Sequence, residues 1–117
     1  MNRINEELLR ELSSLLPTLK DPRFHGMVSV VHVEASPDLR TARVAVSVLG
    51  SEEDQESVRR ALHSASGYLR REIGRRVKLR YTPELQFEID HSMEAGAHIL
   101  SLLRTIEQED SYGSDDQ

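Results

Sequence analysis

The chain has 117 residues, which suffices for one domain with a two-layer core but not for a catalytic and a regulatory domain together. It contains no cysteine, which excludes disulfides, thiolate nucleophiles and cysteine-based metal sites. The formal net charge is −5, and five of the 20 acidic residues lie in the segment 107–117, which has no basic residue. The remaining 15 acidic residues balance the 15 basic ones in 1–106, so overall acidity does not exclude a nucleic-acid partner.

These properties also predict the domain organisation and the location. We expect residues 1–106 to form the domain and residues 107–117 to be a disordered acidic tail. No stretch approaches the roughly 20 apolar residues that span a bilayer. We therefore expect a cytoplasmic protein without a membrane partner.

The first predicted element is a helix. Its apolar residues recur at helical spacing, at Ile4, Leu8, Leu12, Leu15 and Leu19. Pro17 lies inside this pattern, so we expect the helix to kink or end near Leu16.

A β-hairpin is predicted next. The β-branched stretch from Met27 to Ser36 indicates one strand. Residues 40–49 indicate a second, whose inward-facing residues should be Ala42, Val44, Val46 and Val48. A tight turn at residues 36–39 joins the strands, with Pro37 favouring its second position.

After the hairpin the pattern returns to helical spacing. Ser51 and Asp54 have the spacing of a capping box, and an apolar stripe continues from there to Gly74, a predicted helix stop. The small residues Ala65-Ser66-Gly67 suggest a break that divides this stretch into two helices. A third strand follows Pro83, and a last helix begins near Ser92. The predicted order is α-β-β-α-(break)-α-β-α.

The feature most informative about function is a cluster of cations between residues 70 and 80. Its six members are Arg70, Arg71, Arg75, Arg76, Lys78 and Arg80. On a helical wheel, the arginines at 70, 71 and 75 lie opposite the apolar stripe and should face solvent as one surface. Only Glu72 supplies an acid within the run, so the cations should repel one another unless an anion is bound. The alternative is a solvated helix face with ion pairs to nearby acids.

Gly67 also has two interpretations. A glycine is tolerated inside a helix at a cost of about 1 kcal/mol relative to alanine. Alternatively, the missing Cβ allows the helix to bend and a nucleic-acid backbone to approach closely. The sequence position alone does not decide between them.

Motifs for catalysis and for cofactors are absent from the sequence. It has no phosphate-binding loop, no nucleophile elbow and no His-Glu-x-x-His motif. The five histidines are scattered, and the five aromatic residues are too few and dispersed for a base-stacking platform. We expect neither an enzyme nor a bound cofactor or metal.

Five spaced motifs resemble the ribosome-binding factor A family. They are Asp21-Pro22-Arg23, Val44 to Gly50, Ala65 to Arg70, Arg80 to Phe87 and Asp90 to Gly96. The resemblance implies a single-domain α+β protein with a type II KH-like fold, in which an Ala-x-Gly kink at residues 65–67 replaces the usual Gly-x-x-Gly loop. No two of the six glycines are spaced by three, in agreement with the absence of that loop.

The resemblance also implies a function. Members of the family bind the free, immature 30S ribosomal subunit and its 16S rRNA, and assist late maturation and 5′-end processing, also in cold adaptation. A non-catalytic monomer is expected, with a ribosome-assembly GTPase assisting its release. The predicted RNA-binding residues are Ala65, Ser66, Gly67 and the six cations from Arg70 to Arg80.

Two other functions remain open at this stage. The basic face could bind an acidic protein instead of RNA, which would make the chain a protein-interaction module. A small enzyme with an unrecognised site is the third alternative.

Overall fold

In the described residues, 3–91, two helices cover one face of a three-stranded sheet in this computed structural model. The elements are α1 (Arg3–Leu15), a 3-10 turn (Leu16–Thr18), β1 (Met27–Ala35), β2 (Thr41–Leu49), α2 (Glu52–Arg76) and β3 (Glu84–Ile89). The predicted final helix and the acidic tail 107–117 lie outside the described residues. Within 3–91, neither helix combines the length and the apolarity needed to cross a membrane.

The end of α1 follows from Pro17, which lies in the 3-10 turn. The Thr18 hydroxyl donates a hydrogen bond to the Leu15 carbonyl at 2.6 Å, and the Leu19 N–H donates to the Leu16 carbonyl at 3.1 Å. These bonds satisfy carbonyls that the helix leaves unpaired where it stops. The prediction that the helix ends near Leu16 is confirmed.

The hairpin of β1 and β2 is antiparallel, with Met27 opposite Leu49 and Ala35 opposite Ala42. A bulge at Val31 shifts the register between the two halves of β1. In the connecting turn, the Leu39 N–H donates to the Ser36 carbonyl at 2.9 Å, and Leu39 adopts a positive φ of 60°. The predicted turn at residues 36–39 is confirmed.

The sheet has the order β1-β2-β3, and β3 runs parallel to β2, with Glu84 opposite Thr41 and Ile89 opposite Val46. A parallel neighbour requires a crossover connection, and α2 provides it. The sheet is therefore mixed, and the fold class is α+β as predicted.

The core lies between the sheet and the two helices. Its fully buried members include Leu8 and Leu12 of α1, Val33 of β1, Val44 and Val46 of β2, and Val58, Leu62, Leu69 and Ile73 of α2. All four predicted inward-facing residues of β2 are buried. Because these side chains alternate along the strands and recur at helical spacing in α2, the sequence pattern fixes which helix face remains exposed.

The predicted division of the second helix at Ala65-Ser66-Gly67 is wrong. Helix α2 is continuous from Glu52 to Arg76, because a glycine inside a helix keeps its backbone hydrogen bonds and costs only about 1 kcal/mol. Buried Leu62 and Leu69 anchor the helix on both sides of the segment. The helix also extends two residues beyond the predicted stop at Gly74, and the Val77 N–H donates to the Ile73 carbonyl at 2.8 Å.

Candidate nucleic-acid interface

The start of α2 is fixed by the predicted capping box. The Ser51 hydroxyl accepts the Asp54 N–H at 3.1 Å, and the Asp54 carboxylate accepts the Ser51 N–H at 2.9 Å. The hydrogen bond from the Ser51 backbone lowers the pKa of Asp54, since it favours the charged carboxylate. A defined first turn sets the phase of the whole helix, and so determines which residues point away from the sheet.

All six predicted cations of the cluster are exposed. Arg70, Arg71, Arg75 and Arg76 lie on the last two turns of α2, while Lys78 and Arg80 lie in the segment that leads to β3. Leu69, directly before Arg70, and Ile73, between Arg71 and Arg75, are fully buried. Arg70, Arg71 and Arg75 line one groove, whereas Arg76 extends toward Glu11 of α1. We call the exposed set of six cations the cationic surface.

Arg70 is held in place by the backbone. Its Nε and Nη2 atoms donate to the Thr82 carbonyl at 3.1 and 2.9 Å. This contact joins the end of α2 to the segment before β3. A carbonyl oxygen has no net charge, so the arginine keeps its full positive charge while its side chain loses freedom.

Two other arginines pair with acids. Arg75 lies 3.5 Å from Glu72, and Arg76 lies 3.3 Å from Glu11 of α1 and 4.0 Å from Glu72. The alternative of a solvated face with ion pairs thus applies to part of the cluster. Exposed ion pairs of this kind contribute little to stability, so a phosphate group could replace the carboxylates at small cost.

The remaining cations differ from these arginines. Within residues 3–91, neither Arg71 nor Lys78 forms a hydrogen bond or an ion pair. Arg71 also lines a groove of about 430 Å³ with Arg70, Arg75, Gly74 and Thr82. A Cβ at Gly74 would lie 3.0 Å from the Thr82 hydroxyl oxygen, so the glycine allows the loop to pack closely against the helix.

The small-residue segment of α2 lies next to the cationic surface. Gly67 is exposed, and a Cβ built there has no atom within 4 Å. The packing of the described residues therefore does not require a glycine at this position. The Ser66 hydroxyl donates to the His63 carbonyl at 2.8 Å, a contact that tends to bend a helix slightly.

Two further arginines near this segment were not among the predicted RNA-binding residues. Arg60 precedes Gly67 by seven residues, so both lie on one helix face. Arg23 donates to the Ser64 hydroxyl at 3.0 Å and forms a two-pronged pair with Asp21. Extending the helical wheel two turns back from Gly67 would have revealed Arg60. The Arg23 contact joins residues 41 positions apart, which no local pattern indicates.

The scan against known families places nearly the whole chain in one of them. The model described as ribosome-binding factor A matches residues 1–103. The chain belongs to the ribosome-binding factor A family. Among curated members, it is 48% identical to that of Caldanaerobacter subterraneus subsp. tengcongensis over 110 residues, covering 93% of this chain and 90% of the relative. It is 47% identical to the Acetivibrio thermocellus member over 116 residues, covering 98% and 94%.

Solved structures of family members share the fold. The crystal structure of the Thermus thermophilus member superposes with a TM-score of 0.65 at 32% identity, covering 74% of this chain and 91% of the other. A homology model of the Thermus thermophilus protein, fitted into a cryo-electron microscopy map of a complex with the 30S subunit, gives a TM-score of 0.66 at 29% identity. It covers 79% of this chain and 97% of the other.

No metal centre is assembled by the described residues, since they contain no group of three histidine or acidic side chains able to hold an ion. The geometry in this part of the chain offers exposed cations, an exposed glycine on α2 and an open groove. These are the features that bind a polyanion by its phosphates.

Proposed function

We propose that this chain is a maturation factor that binds the small (30S) ribosomal subunit and performs no catalysis itself. Membership of the ribosome-binding factor A family over residues 1–103 supports this assignment. The fitted complex of the Thermus thermophilus relative, which aligns over 79% of this chain, supports the choice of the 30S subunit as partner.

The cationic surface is the proposed contact with 16S rRNA. The observation that carries this proposal is the exposure of all six cations, three of which line one groove, with Arg71 and Lys78 unpaired among the described residues. Arginine suits the role because its planar guanidinium binds two phosphate oxygens at once. Binding of RNA releases counterions, so the affinity should decrease steeply with salt concentration.

The segment Ala65-Ser66-Gly67 completes the proposed site. Open space around Gly67 supports close approach of an RNA backbone to α2, because no Cβ keeps the two backbones apart. We assign the architecture to the type II KH-like fold, with this segment at the position where such domains have a Gly-x-x-Gly loop. In this assignment α2 corresponds to two helices joined without an interruption, and a C-terminal helix follows β3.

The remaining details of the proposal follow from the family. We propose that the protein acts in the cytoplasm as a monomer, assists late maturation and 5′-end processing of 16S rRNA, and does so also in the cold. Its release would be assisted by a ribosome-assembly GTPase. Residues 1–106 would form the RNA-binding domain, and 107–117 a separate acidic tail.

Co-sedimentation with purified 30S subunits over a series of salt concentrations tests the proposal. The informative variant is Arg71→Gln/Arg75→Gln/Lys78→Gln, which removes three exposed charges from the cationic surface. Its matched control is Arg3→Gln/Arg10→Gln/Lys20→Gln, which removes three exposed charges from α1 and the residues after it. If each cation of the first set contacts one phosphate, the slope of log affinity against log salt should decrease by about 2.

The outcomes separate the site, the partner and the function. Equal binding by both folded variants would contradict the assigned site. Binding to intact subunits without binding to 16S rRNA would favour the alternative, a module that binds an acidic protein. Failure of the unmodified protein to bind 30S subunits at any salt concentration would contradict the function itself.

A further inference from the structure

Tyr81 is an exposed aromatic residue flanked by two arginines. It lies between α2 and β3, and 48% of its surface is exposed. The central guanidinium carbons of Arg40 and Arg80 lie 5.4 and 5.9 Å from the centre of its ring. Both distances are within the range of about 6 Å over which a cation is attracted to an aromatic face.

The fold brings this cluster together from two distant segments. Arg40 belongs to the turn between β1 and β2, where Leu39 has a positive φ of 60°. The Glu84 N–H donates to the Arg40 carbonyl at 2.9 Å, which fixes the turn to the start of β3. The backbone of Arg40 is therefore anchored, while its side chain remains 72% exposed and, besides the Tyr81 ring, contacts Asp38 at 4.0 Å.

The cluster adjoins the cationic surface. Thr82 follows Tyr81 directly, and its carbonyl accepts the two hydrogen bonds from Arg70. Thr82 also lines the groove that contains Arg71 and Arg75. Tyr81 and this groove are therefore joined through Thr82, one residue apart along the chain.

We propose that Tyr81, together with Arg40 and Arg80, stacks an unpaired nucleobase of single-stranded RNA. This inference rests on the proposed function, and it adds recognition of a base to the recognition of phosphates. A base can stack on the tyrosine ring or on the outer plane of a guanidinium that lies over it, and every base has a flat face, so the contact tolerates different sequences. The two guanidinium groups are planar and charged, so they favour both a stacked base and the phosphate attached to it.

A pair of probes separates stacking from phosphate binding. One is a short single-stranded RNA labelled with a fluorophore, and the other is a labelled phosphodiester chain of equal length that lacks bases. Fluorescence anisotropy measures the affinity for each. The unmodified protein should bind the RNA more tightly than the chain without bases, and Tyr81→Leu should remove that preference by weakening RNA binding roughly 5- to 150-fold.

Three variants control for other effects. Tyr81→Phe keeps the aromatic face and should keep the preference for bases. Tyr68→Leu changes another exposed tyrosine, over whose ring no guanidinium lies among the described residues, and should also keep the preference. Arg71→Gln should weaken binding to both probes equally, because it removes a contact with phosphate.

The expected result is a loss of base preference that is specific to Tyr81→Leu and independent of salt. An unchanged preference in this variant would overturn the inference while leaving 30S binding, and so the proposed function, intact. Equal losses in Tyr68→Leu and Tyr81→Leu would also overturn it, since the flanking arginines would then have no special role. Failure of the unmodified protein to bind 30S subunits would instead refute the proposed function on which the inference depends.

Discussion

Replacing Gly67 with alanine should stabilise the free protein and weaken its binding to the small subunit. Gly67 lies in the interior of α2, and a Cβ there would meet no atom within 4 Å. Alanine therefore gains helix propensity, about 1 kcal/mol relative to glycine, without a steric penalty. For a domain of roughly 100 residues, this gain should raise the melting temperature by about 4 °C.

The same methyl group should interfere with RNA. If the phosphate backbone approaches α2 at Gly67, the new Cβ occupies part of the space that the RNA needs. Gly67→Val should have a stability between those of the glycine and alanine proteins, because the helix propensity of valine is intermediate. Its larger side chain should nevertheless weaken binding more than alanine does. At position 67, stability should therefore rise in the order glycine, valine, alanine, whereas affinity for the subunit should fall in the order glycine, alanine, valine.

Gly74 provides a matched control within the same helix. A Cβ at this position would lie 3.0 Å from the Thr82 hydroxyl oxygen, a contact closer than ordinary packing. Gly74→Ala should therefore raise the melting temperature less than Gly67→Ala, although both gain the same helix propensity. Thermal denaturation followed by circular dichroism measures the melting temperatures, and co-sedimentation with 30S subunits measures the binding of each variant.

Two results would refute this reasoning. A lower melting temperature for Gly67→Ala would mean that the native helix needs the freedom of glycine at this position. A raised melting temperature with unchanged subunit binding would mean that RNA does not approach the helix at Gly67.

Three further predictions concern the core, the acid stability and the cationic surface. Leu69→Ala should lower the free energy of unfolding by about 2–5 kcal/mol in chemical denaturation, because the side chain is fully buried, while subunit binding per folded molecule is retained. A hydrogen bond from Arg59 lowers the pKa of Glu56 from 4.5 to about 2, so this carboxylate stabilises the fold above pH 4.5 and the contribution is lost as the pH falls toward 2. A plot of unfolding free energy against pH should accordingly be flatter for Glu56→Gln than for the unmodified protein between pH 4.5 and about 2. Identical plots for the two proteins would contradict the pairing of Glu56 with Arg59. Arg71→Gln should make the plot of log 30S affinity against log salt less steep by about 0.7. Arg76→Gln should reduce the steepness less, because Arg76 already pairs with acids.

Local patterns predicted most of the fold. The alternation of Val44, Val46 and Val48 identified a strand and its buried face, and the structure confirms both. Ser51 and Asp54 marked the start of α2 because a capping box depends only on residues three apart. The predicted division at Gly67 was wrong because it relied on the low helix propensity of one residue. Burial of the apolar stripe on both sides of the glycine outweighs that local cost.

The site was less accessible to prediction because its contacts join distant segments. Exposure of the cations follows from the phase of the apolar stripe, so the surface itself could be anticipated. The sequence could not show which cations lack partners, because a pair such as Arg76 with Glu11 joins residues 65 positions apart. The approach of Arg40 to Tyr81 depends in the same way on how the hairpin turn meets β3.

The parallel pairing of β2 with β3 has a consequence for the order of folding. The β1–β2 hairpin closes a short loop, whereas β3 can join β2 only after all of α2 lies between them. Closing the longer loop costs more chain entropy, so β3 should join the sheet late. The Thr82 carbonyl that holds Arg70 lies just before β3, as does the ring of Tyr81. During synthesis, the Arg70–Thr82 contact and the ring of Tyr81 should therefore reach their final positions only when the last strand has joined the sheet.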